Sequence, residues 1–433
     1  MLTTQEHGIE ISDDLITRCM HCGLCLPTCP TFAVTGLERS SPRGRIRMVK
    51  GVLEGELALS AQFIEEMNFC LDCQACESAC PAGVRYGSIV EGARSMIFER
   101  GSGSYLERVL KRFVMRPLFS SKKRLKSAAR LLRKIQASSF LQRIILSGAA
   151  HTVVPRLQRL EALSPRMDRV FFDETHGEVL SPEGEIRHKV AFLSGCIMDV
   201  AFSDVHRDTV EVLLRNGCQV FIPANQECCG SLQAHNGDLR GAVALARHNI
   251  DIFENEEIEW IITNSAGCGA FMKEYFEHLT SDASYAAKAR AFSAKVKDLA
   301  EVLSLIGMRK PSVPFKKRVT YHDACHLAHA QKVTVEPRAI IQSIPGVDYV
   351  ELNEASRCCG SAGIYNVARY DDSMLFLDRK MENVRETDAD LIVASNPGCI
   401  SQIAYGLKKS KMKGEVVHLA TLIKRAYAAA PED

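Results

Sequence analysis

The chain has no uninterrupted apolar run of membrane-spanning length, so no transmembrane helix is expected. Its opening stretch, MLTTQEHGIEISDDLITR, lacks the apolar segment of a secretory leader. No G-x-G-x-x-G fingerprint stands out, so hydride chemistry on a dinucleotide is expected elsewhere. Charge of one sign is not in excess either, with 54 Lys+Arg against 52 Asp+Glu. That balance says little about the chain as a whole, and the local distribution says more.

Cysteine, by contrast, is abundant. There are 17 in 433 residues, mostly in tight groups. A hydrophobic content of 46% in a chain of this length supports a sizeable core without disulfide staples. A secreted disulfide framework fits poorly, because such frameworks belong to small loop-rich domains and the count here is odd. The cysteines are read as metal ligands in a reducing compartment.

Four units are expected in an α+β multidomain chain. Residues 1–100 carry the first eight cysteines and form a helical two-cluster ferredoxin domain. Residues 101–185 carry none and form a basic helical linker. Residues 186–310 and 311–433 are two copies of an α/β cysteine-rich unit. The turn-rich stretches 101–104 and 181–184 mark boundaries. The duplication is explicit in the spacing. Cys196, Cys228, Cys229 and Cys268 in the first copy match Cys325, Cys358, Cys359 and Cys399 in the second. Strands are expected at 189–193, 219–222 and 258–262, and again at 318–321, 348–352 and 390–394. Each cysteine then falls at or beyond the C-terminal end of a parallel strand, where open α/β sheets place their sites.

The first cysteine run is Cys19, Cys22, Cys25 and Cys29 with Pro30. The second is Cys70, Cys73, Cys76 and Cys80 with Pro81. Both fit C-x2-C-x2-C-x3-C-P, in which three close cysteines wrap one cubane and the fourth reaches the other. Cys19, Cys22, Cys25 and Cys80 are therefore expected on one [4Fe–4S] cluster, and Cys70, Cys73, Cys76 and Cys29 on the second. Paired zinc sites are the alternative, but the full run given twice is far more specific than a single CxxC. Helices are expected at 46–53 and 65–69. Arg43, Arg45 and Arg85 follow the runs, and either raise cluster potentials or cap helices at the surface.

The eight cysteines of the two copies suit one or two further iron–sulfur clusters, with zinc or metal-free thiols as alternatives. Cys218 reads as a small core residue. His322 and His326 flank Cys325, and His235 and His248 follow the first Cys-Cys-Gly. Of these, His322, at a strand end, is the candidate ligand. Lys273 has Lys408 and Lys409 only at a looser offset in the other copy and reads as structural.

Between residues 104 and 160 there are fourteen Lys/Arg against one acidic residue, Glu107. Patterns at 130–135 and 140–146 mix apolar and basic residues at helical spacing. Such a face suits an anionic membrane surface, or else an acidic partner subunit. Nucleic acid is not expected, because neither clustered aromatics nor a recognition motif accompanies the charge.

Two ferredoxin runs, a basic helical linker and two Cys-Cys-Gly units closely resemble the iron–sulfur subunit of bacterial glycolate oxidase. Stretches that carry the resemblance are Cys22-Gly-Leu-Cys25, Gly44-Arg-Ile46, Asn249-Ile-Asp251, Ser265-Ala-Gly-Cys268, His329-Ala-Gln-Lys332 and Cys358-Cys-Gly-Ser-Ala-Gly363. Lactate-utilisation proteins, anaerobic glycerol-3-phosphate dehydrogenase and heterodisulfide reductase share related architectures. The resemblance implies FAD-binding dehydrogenase subunits as partners, electron relay towards a quinone or membrane acceptor, and a cytoplasmic site on the inner membrane face. A heterodisulfide-reductase-like or lactate-utilisation-type oxidoreductase is the alternative. Against a disulfide reductase, Ser265 and Asn396 stand where each copy would carry a fifth cysteine.

Overall fold

The computed structural model describes residues 11–100, 116–139, 159 and 161–429. The expected boundary at 101–104 and the helical pattern at 140–146 lie outside the described residues.

The N-terminal part is helical. Helix α1 covers Asp13–Thr17, α2 Pro30–Thr35, α3 Pro42–Leu53, α4 Ala61–Phe69, α5 Ala75–Ser78 and α6 Tyr86–Glu99. Sequence sets these starts. Pro42 occupies the first turn of α3, and the Ser41 hydroxyl accepts from the Gly44 amide. Ser60 caps α4 in the same way. Ile89, Val90, Ala93 and Ile97 recur at helical spacing on α6 and bury against Val49, Phe63 and Met67. The helices expected at 46–53 and 65–69 fall within α3 and α4.

Helix α7 (Arg116–Phe119) and helix α8 (Lys122–Ala137) follow. Two parallel sheets come next. The first has the order β1-β3-β2-β4-β5, with β1 Val179–Leu180, β2 His188–Phe192, β3 Cys218–Phe221, β4 Trp260–Thr263 and β5 Val296–Asp298. Only β1 runs antiparallel, on β3. The second has the order β7-β6-β8-β9, with β6 Lys317–His322, β7 Val347–Tyr349, β8 Leu391–Ala394 and β9 Glu415–Val417. All its pairings are parallel. Every residue of β8 is buried, as expected for a strand covered on both faces.

In each sheet the central strand (β2, β6) is flanked by the strands that precede the other cysteines. Cys196 follows β2, the Cys228–Cys229 pair follows β3, and Cys268 lies in α9 (Ala266–Lys273) after β4. The second sheet repeats this, with Cys399 in α10 (Pro397–Lys409) after β8. The expected strands are found within a residue or two, except that β7 is shorter than 348–352. Its backbone still continues along β6, where the Val350 amide donates to Val319 O at 2.9 Å.

The two copies join at the positions of the absent fifth cysteines. The Ala266 amide donates to Ser395 O at 3.1 Å, and the Gly267 amide to Asn396 Oδ1 at 3.3 Å. The Ser265 hydroxyl reaches the same Oδ1 at 3.5 Å.

Candidate iron–sulfur centres

The two ferredoxin runs fold alike. His21 and Gly23 in the first take left-handed backbone angles (φ 56° and 85°), and Asp72 and Gln74 repeat them in the second (φ 52° and 59°). These turns curl each run around its own cavity. Cys19, Cys22, Cys25 and Cys80 line one cavity. Cys29, Cys70, Cys73 and Cys76 line the neighbouring one, and Cys76 also faces the first. The fourth cysteine of each run thus stands with the first three of the other.

The two cavities differ in environment. Cys22 is exposed and Cys19, Cys25 and Cys80 are half-buried, whereas Cys29, Cys70, Cys73 and Cys76 are all buried. Burial drives the Cys73 and Cys76 thiols well above their ordinary range. Thiolates there therefore require a bound cation to compensate them. The donor set fits an iron–sulfur cluster, because soft sulfur ligands converge in a dry cavity with donors aimed at them. The Asp72 amide and the Tyr86 hydroxyl point at Cys70 Sγ at 3.4 and 3.5 Å. The Val84 amide points at Cys80 Sγ at 3.5 Å.

Arg45 lies against the second cavity, 1% exposed. Its guanidinium donates to Ser40 O, Thr31 Oγ1 and Glu66 O, and its Nη2 has no hydrogen-bond acceptor. Arg43 donates to His21 O inside the first run at 3.0 Å. Arg85 instead pairs with Glu277 of the first copy.

In the second copy Cys325, Cys358, Cys359 and Cys399 are all buried. Ligand atoms of His322, Cys359 and Cys399 lie within 4.8 Å of one another. His322 is fully buried, neither ring nitrogen has a hydrogen-bond partner, and burial holds it well below its ordinary range. Lys380 is also buried nearby and donates to Glu354 O at 2.6 Å and Ala355 O at 3.2 Å. Burial lowers this amine to about 8, against the upward pull of the neighbouring thiols.

The first copy is different. Cys196 Sγ lies 3.3 Å from Cys228 Sγ, and this contact lowers the Cys228 thiol and raises that of Cys196. The position matching His322, three residues before the leading cysteine, is Leu193, 2% exposed. Positive charge arrives from outside the copy, as Lys122 at the start of α8 reaches Ser194 Oγ at 2.8 Å. Cys218 is fully buried in the core, its thiol pushed up to about 12 by burial.

The second run is wedged between the copies. Cys73 shares a buried cluster with Cys325 and Cys358, together with Phe69, Leu71 and Phe376. Towards the first copy, His235 Nδ1 contacts Glu91 Oε1 at 2.6 Å and Asp72 Oδ2 at 3.2 Å. Arg94 donates to Cys70 O at 2.5 Å and His235 O at 3.0 Å. Although burial opposes its charge, the two carboxylates raise His235 to about 10, so it is an imidazolium at neutral pH. His326 Nδ1 lies 3.6 Å from Cys325 Sγ, and burial lowers the ring to about 3. His248 binds Asn225 O away from the cysteines, and Lys273 pairs with Glu301.

Spacing alone did not reveal Asp72, Glu91, Lys122 or Lys380. Only Lys380 left a trace, as a charge inside the apolar stripe Leu377, Met381 and Val384. On α8, Lys122 reaches Ser194 of the first copy, while Lys126, Arg130 and Arg133 turn to Asp173, Glu174 and Asp168 O in the segment that precedes it. Lys123, Leu131 and Lys134 face outward. Among the described residues no helix is long and apolar enough to cross a membrane.

Residues 15–84 match the family described as "4Fe-4S dicluster domain", and residues 190–273 and 319–404 that described as "Cysteine-rich domain". The chain is 37% identical to the "Probable glycolate oxidase iron-sulfur subunit" of Bacillus subtilis, an alignment covering 98% of this chain and 99% of that one. It is 31% identical to the "Glycolate oxidase iron-sulfur subunit" of Escherichia coli over 91% of each. "Lactate utilization protein A" of Oceanobacillus iheyensis is 31% identical, across 54% of this chain and 96% of that protein.

Proposed function

The chain belongs to the family of glycolate oxidase iron–sulfur subunits, and from that membership we propose how it works within its oxidoreductase complex. It is the electron-relay subunit of a 2-hydroxy-acid dehydrogenase. We assign Cys19, Cys22, Cys25 and Cys80 to one [4Fe–4S] cluster and Cys70, Cys73, Cys76 and Cys29 to the other. Such clusters supply reversible one-electron transfer when bound. The observation that carries the assignment is the meeting of each run's fourth cysteine with the other run's first three in adjoining cavities.

The chain's own residues tune and orient these sites. Arg45, ion-paired with Glu66, and Arg43, ion-paired with Glu38, order the backbone beside them through Ser40 O and His21 O, and amide donors to sulfur favour the reduced form. The exposed first run faces a partner subunit, where FAD oxidises the hydroxy acid. The buried second run passes electrons inward, because Cys73 abuts Cys325 and Cys358. A further iron–sulfur centre sits in the second copy on Cys325, Cys358, Cys359 and Cys399, with His322 beside it. A quinone is the final acceptor. Units 1–100, 101–185, 186–310 and 311–433 divide this work. The outward residues of α8, Lys123, Leu131 and Lys134, touch an anionic membrane face peripherally. Flotation with anionic vesicles tests that contact, and failure of the intact complex to float defeats it.

Anaerobic purification with iron, sulfide and zinc counts plus EPR tests the centres. About eight irons correspond to the N-terminal pair, and a larger count places a further cluster in the cysteine-rich copies. Colourless protein with zinc in place of iron and labile sulfide refutes the relay, and zinc beside about eight irons refutes only the second-copy cluster.

A further inference from the structure

Three donor atoms in the second copy stand closer together than any three cysteines of the ferredoxin runs. A ring nitrogen of His322 and the sulfurs of Cys359 and Cys399 lie within 4.8 Å of one another. Among the described residues, no three ferredoxin cysteines and no three cysteines of the first copy are grouped so tightly. Bonds of about 2.0–2.3 Å to one tetrahedral ion place its donors roughly 3.5–4 Å apart, so a trio this close suits a single shared ion. Three elements assemble it. His322 ends β6, where it pairs with Ala394 of β8, Cys359 follows β7, and Cys399 lies in the first turn of α10. The other thiols continue the set by contact, Cys359 to Cys358 and Cys358 to Cys325.

The ring is placed as a ligand rather than as a core histidine. His206 and His418 are as deeply buried, yet both have each nitrogen satisfied. His206 contacts Ser194 O at 2.8 Å and the Asn264 amide at 3.1 Å, and His418 contacts Asn264 O at 2.9 Å and the Ala420 amide at 3.0 Å. Neither nitrogen of His322 has such a partner. Ala355 O, which accepts from Lys380 Nζ at 3.2 Å, favours an N–H on the ring without forming a hydrogen bond to it. A carbonyl in that role sets which nitrogen faces an ion. A buried lone pair without a partner is costly, and an ion relieves it. The other close trio among the described residues, Asp72, Glu91 and His235, has Arg94 3.6 Å from Asp72, which repels a cation.

We propose that His322 binds a metal ion jointly with Cys359 and Cys399, giving the second copy a nitrogen ligand that the first, with Leu193, lacks. The proposal rests on the reading that the second copy carries an iron–sulfur centre, and the ion is then one of its irons. A neutral imidazole adds no negative charge where a thiolate would, so it raises the centre's potential and favours electron flow from the buried ferredoxin run.

The test uses the anaerobically purified full chain, prepared with and without isotopically labelled histidine. Pulsed EPR of the wild type should show a histidine-nitrogen coupling on one cluster signal. His322→Cys should lose that coupling, keep the metal and lower its midpoint potential. His322→Leu, which reproduces the first copy's residue, should lose the coupling and weaken metal retention against a chelator about tenfold or more, since outer-shell partners alone are worth roughly 10–100-fold. Wild-type signals without histidine nitrogen overturn the proposal, as does a coupling that survives both substitutions. If the second copy holds zinc, the cluster reading fails while the ligand is still decided. One nitrogen beside sulfurs in the zinc X-ray absorption shell, lost in His322→Cys, supports His322, and an all-sulfur shell in the wild type overturns it. No zinc and no iron beyond about eight overturns both.

Discussion

His235 is the strongest handle on how the ferredoxin-like part is held. It lies between two buried carboxylates, Asp72 within the second cysteine run and Glu91 on α6, both under 7% exposed. Removing it by His235→Ala leaves two adjacent anions with Arg94 as the neighbouring cation, 3.6 Å from Asp72. Breaking a buried pair of this kind costs about 3–5 kcal/mol. A second route gives a similar ceiling. The ring rises from 6.5 to about 10 on folding, which at 1.36 kcal/mol per pH unit is about 5 kcal/mol. The sign follows from the direction. A raised folded pKa means the stabilisation is complete below pH 6.5, fades above it and is gone once the pH passes about 10. The depressed Asp72 acts at the other end, its share present above its ordinary value of 3.8 and lost as acid protonates it. Thermal unfolding of anaerobically purified protein between pH 6.5 and 10 is the assay, with hydrogen exchange at α6 as a local readout. Wild type should lose stability steeply across that window, and His235→Gln should start lower and slope less. Parallel curves for the two proteins would refute an imidazolium at this junction.

Cys29→Ser should abolish the EPR signal of the centre held by the second run and spare the other, whereas Cys25→Ser should do the reverse. If both variants lose the same signal, the exchange of fourth cysteines is wrong. Lys380→Met keeps the side-chain volume but removes the cation beside the second copy's thiols. Iron beyond the N-terminal complement of about eight should then fall, and an unchanged metal count argues against charge compensation by this amine. Asn396→Ala strands the Gly267 amide at the joint between the copies, at a cost of about 1–3 kcal/mol in thermal stability. A midpoint equal to wild type would show that the joint does not depend on this side chain.

Much of this architecture was legible because metal-binding cysteines obey strict spacing. The twin C-x2-C-x2-C-x3-C-P runs and the matched Cys-Cys-Gly intervals marked the candidate cysteine sets, and short apolar runs located six strands. What escaped was long-range. Nothing near Asp72 in sequence signals that it faces His235, 163 positions away. Nor does the basic composition of α8 reveal that Lys122 buries against Ser194. Arg85 follows a cysteine run as Arg43 does, yet one pairs with Glu277 of the first copy and the other with nearby Glu38 while donating to His21 O in the run. Tertiary packing decides such partners, and local pattern carries no record of it.

The same limit explains why the two copies differ more than their cysteines suggest. Asn396 accepts from Gly267 and Ser265 of the first copy, while its Nδ2 reaches Cys399 Sγ at 3.7 Å. A thiol there would be a weak acceptor and would leave the Gly267 amide poorly satisfied. The side chain that joins the copies is thus also a neighbour of a candidate ligand, which ties the joint to a four-cysteine set. Divergence then falls on the residues behind the cysteines. Leu193 presents only carbon where His322 presents an imidazole. One copy draws its ammonium from α8, outside the copy, and the other from Lys380 within itself. Because hydrogen bonding, charge and burial around the sulfurs set a centre's potential, equal cysteine spacing does not make the two sites electrically equal.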